Sequence, residues 1–191
     1  MRSFDCSAAE MVPIRLLVSI AIIAAIAVLL GVGIGMLRTN LAQHQVEQQC
    51  HDLIAALNTM VQGGAPRDLG DQFAPAGTTR ALALSLPDSL VYLSFGGDPD
   101  VENTGVLHSR VTNEGSVIYY RVDGGSKQVI WLSEERIRFR EGTLSNTTWT
   151  LKGDAASYII HRGGIITLVC ELVEQDHVIY VLIHGNDGIK Y

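Results

Sequence analysis

Arg136, Arg138 and Arg140 are the most concentrated positive charge in this chain, and they alternate with Ile137 and Phe139. In a strand, alternate side chains share a face, so the three guanidinium groups line up while Ile137 and Phe139 point inward. Parallel forks of this kind can grip a carboxylate or an anionic glycan. The plainer alternative is a solvated sheet face neutralised by acids such as Glu134, Glu141 or Glu171. The acidic balance of the chain, net charge −6, favours that alternative.

The other reactive residue types are scattered. None of the six histidines (His44, His51, His108, His161, His177 and His184) has metal-ligand spacing, and neither a CxxC nor an HExxH motif is present. His177 and His184 are seven residues apart, so in one strand they face opposite sides. Cys50-His51-Asp52 holds the residue types of a thiol triad, but neighbours on a helix point about 100° apart and cannot make the required hydrogen bonds. No nucleophile-elbow, oxyanion-loop or phosphate-loop pattern accompanies the serines and glycines. The expectation is a protein without catalysis, metal or cofactor.

The elements that position these residues begin with an apolar run. Residues 16–37, LLVSIAIIAAIAVLLGVGIGML, hold 22 residues without a charge between Arg15 and Arg38. At about 1.5 Å per residue a helix there spans about 33 Å, enough for a hydrocarbon core of about 30 Å. A signal peptide has a shorter apolar region and a small-residue cleavage site after it. Arg38-Thr39-Asn40 supplies no such site, so the run reads as a retained anchor. Arg2 and Arg15 precede it while only Arg38 follows closely, which places the N-terminus inside and the rest extracytoplasmic. Two features agree with that side. Asn146-Thr147-Thr148 is a glycosylation sequon. Cys50 and Cys170 could form a disulfide in an oxidising compartment, or could be small buried apolar residues. An acidic domain argues against nucleic acid and anionic lipid surfaces.

The helix continues past the anchor. No Gly or Pro occurs from Thr39 to Gln62, and Val46, Cys50, Leu53, Leu57 and Met60 form one apolar stripe. That stripe needs a partner, either the chain's own C-terminal domain or the helices of neighbours. Gly63-Gly64-Ala65-Pro66 stops the helix. The chain therefore divides into an N-terminal segment (1–15), a transmembrane helix (16–37), an amphipathic extension (38–62), a linker (63–78) and a β-domain (79–191). Period-two runs predict strands near 79–86, 90–95, 106–112, 116–123, 127–132, 136–140, 147–152, 156–161, 165–174 and 177–184. Gly, Asp and Pro turn signals separate them. Many short strands without interspersed helices predict an all-β antiparallel sandwich-like domain.

Ala27, Gly31 and Gly35 are four apart and leave a face on which another membrane helix can approach closely. A short polar N-terminus, an apolar helix running into a soluble amphipathic half and then a β-domain resembles type IV pilin-like proteins. The anchor AAEMVPIRLLVSIAIIAAIAVLLGVGIGM is similar to that of archaeal pilin-type and archaellum-associated membrane proteins. The resemblance covers about residues 6–62 and implies a pilin-like α+β fold whose helices pack together in an assembly. Family members are cut next to a basic residue; here Asp5-Cys6 and Ala8-Ala9 have no basic neighbour and Arg15 interrupts the apolar run. That departure points to an uncleaved anchor, as in accessory envelope proteins. The resulting expectation is a single-pass cell-envelope assembly protein working in homo- or hetero-oligomers with other pilin-like or envelope proteins. Its packing residues would be Ala27, Gly31, Gly35, Val46, Cys50, Leu53 and Leu57. The alternative is an anchored ligand- or glycan-binding ectodomain using Arg136, Arg138 and Arg140.

Overall fold

One helix, α1 (Ser7–Gly63), carries both the apolar run and the stripe. A computed structural model describes residues 7–108, 115–132, 137–145, 148–152 and 157–185. The most apolar 18-residue window of α1 has a mean hydropathy of 2.9, and none of it is buried. The helix is thus long and apolar enough to cross a membrane, by length and composition. Ser19 satisfies its hydroxyl within the helix by donating to the Arg15 carbonyl at 2.9 Å.

From Ala42 onward the helix changes role. Ala42, Val46, Cys50, Leu53, Leu57 and Met60 are buried at 7% exposure or less and join the main apolar core. Of the two partners open to the stripe, the chain's own β-domain takes it. The helix runs antiparallel to the edge strand β2 (Thr79–Leu86) and covers its free edge. Gln45 Nε2 donates to the Ser85 carbonyl at 3.0 Å, and the Ser85 N–H donates to Gln49 Oε1 at 3.0 Å. Further along, Arg80 donates to the Ala56 carbonyl at 2.9 Å. Unpaired strand edges are sticky, and here polar helix side chains satisfy one.

The remaining strands are β1 (Arg67–Asp68), β3 (Leu90–Phe95), β4 (Val117–Val122), β5 (Gln128–Trp131), β6 (Arg138–Ser145), β7 (Thr148–Leu151), β8 (Tyr158–Ile160), β9 (Gly164–Gln175) and β10 (Val178–Gly185). They form two sheets. The larger runs β1-β9-β10-β6-β7, with β2 also on β9; the smaller runs β5-β4-β3-β8. As the doubly apolar β9 and β10 require, these two strands are central. Their hairpin turns through Asp176 and His177, both at positive φ (52° and 64°), the geometry of a tight two-residue connection.

Three expectations are corrected here. The domain is not all antiparallel: β1 pairs parallel with β9, and β6 with β10. An apolar period tells which face is buried but not which way a strand runs. β7, β8 and β9 intervene between β6 and β10, giving the long connection that parallel pairing needs. Second, the linker residues 63–78 are docked on the β-domain and carry a short strand. β1 lies within them, Leu69 N–H donates to the Glu174 carbonyl and Thr78 N–H to Ala65, each at 2.9 Å. Third, residues 106–108 are loop; 109–114 lie outside the described residues.

The larger sheet is strongly curled. β1 and β7 end opposite sides of its strand order, yet Arg67 Nη2 donates to the Trp149 carbonyl at 2.6 Å. One face packs with the smaller sheet and the helix stripe in a single core that includes Leu93, Phe95, Leu168, Cys170, Leu172 and Val181. The other face lines the inside of the curl, where Val173 and Leu182 are fully buried apart from that core.

Candidate functional site

The first candidate is the free half of α1. Ile23, Leu29 and Leu37 are 66%, 71% and 62% exposed, an arrangement that water penalises and lipid does not. Ala27, Gly31 and Gly35 lie on this half and are exposed. A methyl group added at Gly31 or Gly35 would meet nothing within 4 Å, so none of the described residues fills the small-residue face. The four stripe residues Val46, Cys50, Leu53 and Leu57 are by contrast used up inside the chain.

Cys50 and Cys170 are free, buried thiols, and no disulfide joins them. Burial pushes each thiol up to about 12, helped at Cys50 by the charge of Glu47. They serve as small apolar residues of the core. Asn146 lies outside the described residues, as does Arg136.

The arginine row is placed by the curl. Ile137 and Phe139 enter the main core, at 0% and 2% exposure, so Arg138 and Arg140 project to the concave side. Arg140 is only 8% exposed, its guanidinium carbon 5.6 Å from the centre of the Tyr180 ring. Arg138 is half-buried. A row of open forks is therefore not what these two form, because the sheet closes around them. Inside the same curl, Arg67 pairs with Glu171 through two hydrogen bonds, Nε to Oε1 at 2.7 Å and Nη2 to Oε2 at 3.1 Å. Both side chains are about one-tenth exposed. The bond to Glu171 raises the Arg67 pKa, against the opposing effect of burial.

A second candidate is an open cleft of about 490 Å³ where the far ends of β6, β7 and β10 face β8. On its wall the Trp149 indole stacks on the His184 imidazole, centroids 3.8 Å apart and planes 6° from parallel. Gly142 makes this possible: a Cβ there would lie 3.2 Å from Trp149 Cε3, so a side chain would crowd the indole. Burial lowers the His184 pKa, partly offset by Glu171. Lys152 and Arg162 border the cleft, with Lys152 paired to Glu141 at 2.7 Å. None of these side chains stood out in the sequence, because Trp149 and His184 meet only through strand pairing; an isolated glycine in strand β6 was the one local signal.

A third polar group lies under the 96–108 loop, on the outer side of the smaller sheet. Lys127 Nζ bridges Asp98 Oδ2 at 2.6 Å and the Asp100 carbonyl at 2.9 Å. Asp100, 1% exposed, accepts the N–H groups of Thr104 and Gly105 at 2.8 and 3.1 Å and faces Arg121 at 3.7 Å. Two acids and two bases balance, so this group pins the loop. Among the described residues no cluster of three His, Cys, Asp or Glu side chains could hold a metal ion. His44 and His51 instead flank Glu47 on the exposed helix face, at 3.5 and 4.0 Å.

No protein-family model, curated protein or solved structure matches this chain.

Proposed function

We propose that this is a single-pass membrane protein of the cell envelope, pilin-like in design, that works by assembling with other helices and not by catalysis. The observation that supports it most is the division of α1: an apolar half left bare with a small-residue face, and a second half built into its own β-domain. A helix that is half ectodomain core and half anchor is the layout of type IV pilin-like proteins. In this reading the N-terminus is cytoplasmic and the β-domain, a curled sandwich, is extracytoplasmic. The anchors associate through Ala27, Gly31 and Gly35, where close approach gains packing that lipid does not supply.

Cross-linking of the full chain in membranes tests this. Gly31→Leu with Gly35→Leu should abolish the cross-linked species, while Leu29→Ala on another face leaves it. Unchanged cross-linking in the glycine variant refutes self-association through this face.

The cleft beside Trp149 favours a second reading, an anchored ectodomain that captures a glycan or other ligand. Its contacts would be Trp149, Lys152 and Arg162 instead of the partly enclosed arginine row. A pull-down on envelope polysaccharide, with Arg162→Gln and Trp149→Ala, separates the two readings.

A further inference from the structure

The place where α1 leaves the β-domain is shaped by a hairpin. The turn between β4 and β5 holds Gly124, at φ +71°, and Gly125. A Cβ on Gly125 would lie 2.7 Å from Gln43 Nε2 and one on Gly124 would lie 3.2 Å from Thr39 Oγ1. Only the two glycines let the turn approach the helix this closely. Thr39 Oγ1 donates to the Asp123 carbonyl at 3.3 Å, and Asp123 N–H donates to the Ser89 carbonyl at 2.7 Å. The turn is thereby fixed one residue beyond Arg38, where the uncharged run ends.

Between helix and turn lies an open crevice of about 710 Å³. Its lower wall is Gly35 and Met36, within the apolar run; its upper wall is Arg38, Gln43, Asp123 and Ser126. From Arg38 to Gln43 the helix rises about 7 Å. A headgroup layer occupies about 5–7 Å on each side of the hydrocarbon. The crevice thus changes from apolar to polar at the level where a bilayer does. Arg38 makes no ion pair or side-chain hydrogen bond among the described residues. Among the described residues it is the one cation lining the crevice, and Asp123 is its acidic counterpart.

We propose that this crevice is a phospholipid site for a headgroup carrying a protonated amine, with its phosphate on Arg38 and its amine on Asp123. The proposal rests on the membrane reading given above. One cation and one acid lining the same crevice suit a zwitterionic amine headgroup better than an anionic one, which would bring its charge to the carboxylate without compensation. Gly35 and Met36 would meet the start of an acyl chain. The bound lipid would tie the β-domain to the bilayer surface and hold its tilt.

The test uses the full chain in nanodiscs of equal parts phosphatidylethanolamine and phosphatidylcholine, followed by native mass spectrometry of retained lipid. Phosphatidylethanolamine should be retained over phosphatidylcholine by about fivefold, the worth of the N–H hydrogen bond that its ammonium donates to a carboxylate and a trimethylammonium lacks. Asp123→Asn should remove the preference, and Arg38→Gln should remove retention of both. Replacing phosphatidylethanolamine by phosphatidylglycerol should lower retention. Equal retention of all headgroups, or a preference indifferent to both variants, overturns the proposal. So does soluble O-phosphoethanolamine competing as well as the lipid, since the acyl contact would then be idle. A chain that fails to enter the discs overturns the membrane reading and this proposal together; one that enters without preference overturns the proposal alone.

Discussion

Replacing Arg67 by methionine should be among the most damaging single changes in the domain. Arg67 holds Glu171 through two hydrogen bonds and Trp149 through a third, linking the two ends of the curled sheet. Without it, the one hydrogen bond to the Glu171 carboxylate among the described residues comes from the Gly77 N–H, at 3.3 Å, inside a region where Glu171 is 7% exposed. A buried carboxylate deprived of its counter-ion costs about 3–5 kcal/mol. For a chain of this size each kcal/mol moves the midpoint by about 2–4 °C, so the loss is about 6–20 °C. Circular dichroism of the full chain in detergent, followed through the β-domain transition, reads the change. The double variant Arg67→Met with Glu171→Leu removes both charges and should recover most of the loss, because an apolar pair of similar volume replaces the ion pair with little net cost. Two results would refute the reasoning: a single variant within about 1 kcal/mol of the parent, the range of an exposed pair, or a double variant as unstable as the single.

Leu57→Ala empties part of the core under the stripe, where Leu57 is 0% exposed, and should cost the domain about 2–5 kcal/mol in denaturant unfolding. Leu30→Ala, at a position 61% exposed on the bare half, should change the same transition by less than about 0.5 kcal/mol. In a Cys6→Ser background, Cys50 and Cys170 should resist a disulfide reagent at pH 8 while folded and both react once unfolded; finding no thiol after unfolding would mean that a disulfide had formed. Burial holds the His161 and His184 imidazoles below the ordinary value, so the folded state favours the neutral rings. The unfolded chain therefore takes up more protons as the pH drops through about 6.5, and stability is complete above that pH and declines below it. With Trp131→Phe leaving Trp149 as the sole indole, its emission should report His184 protonation, and His161→Gln with His184→Gln should flatten the acid limb.

How much of this was legible in the sequence depends on the range of the contact. The runs at 79–86 and 90–95 match β2 and β3 to the residue, because alternation is a local property and Pro87-Asp88 punctuates it. The stripe of Val46, Cys50, Leu53 and Leu57 was readable for the same reason, although its partner was not. β1 could not be read: Arg67 and Asp68 have no period, and only the parallel ladder to Val173 and Glu174 makes them a strand. The exposure of Arg140 was misjudged because charge predicts solvent. What decides it is the curl, which brings Tyr180 and the Arg67–Glu171 pair onto the same side. The run at 106–112 reads as a strand. Residues 106–108 are loop instead, with His108 N–H donating to the Pro99 carbonyl at 2.7 Å, and 109–114 lie outside the described residues.

The coupling between the bare half of α1 and the β-domain follows from α1 being one continuous helix. Its backbone hydrogen bonds do not pause at Arg38, so a tilt or rotation of the free half reaches the buried half without a hinge. In that buried half the helix is fixed to the larger sheet at Gln45, Gln49 and Ala56, and to the β4–β5 turn at Thr39. Docking of residues 63–78 then secures its end through Ala65, Thr78 and the Arg67 pair. A flexible linker would have let the β-domain drift independently of the membrane. This chain instead has a rigid joint just beyond Arg38, where two glycines seat a turn against the helix; in the membrane reading proposed above, that joint would lie at the level of the headgroups. Any association of anchors through Gly31 and Gly35 would therefore set the spacing and orientation of the β-domains as well. Inserting a flexible Gly-Ser segment between Arg38 and Thr39 should leave anchor cross-linking intact while abolishing defined cross-links between engineered cysteines on neighbouring β-domains. Retention of those β-domain cross-links would show that the domains hold one another directly and that the helix is only a tether.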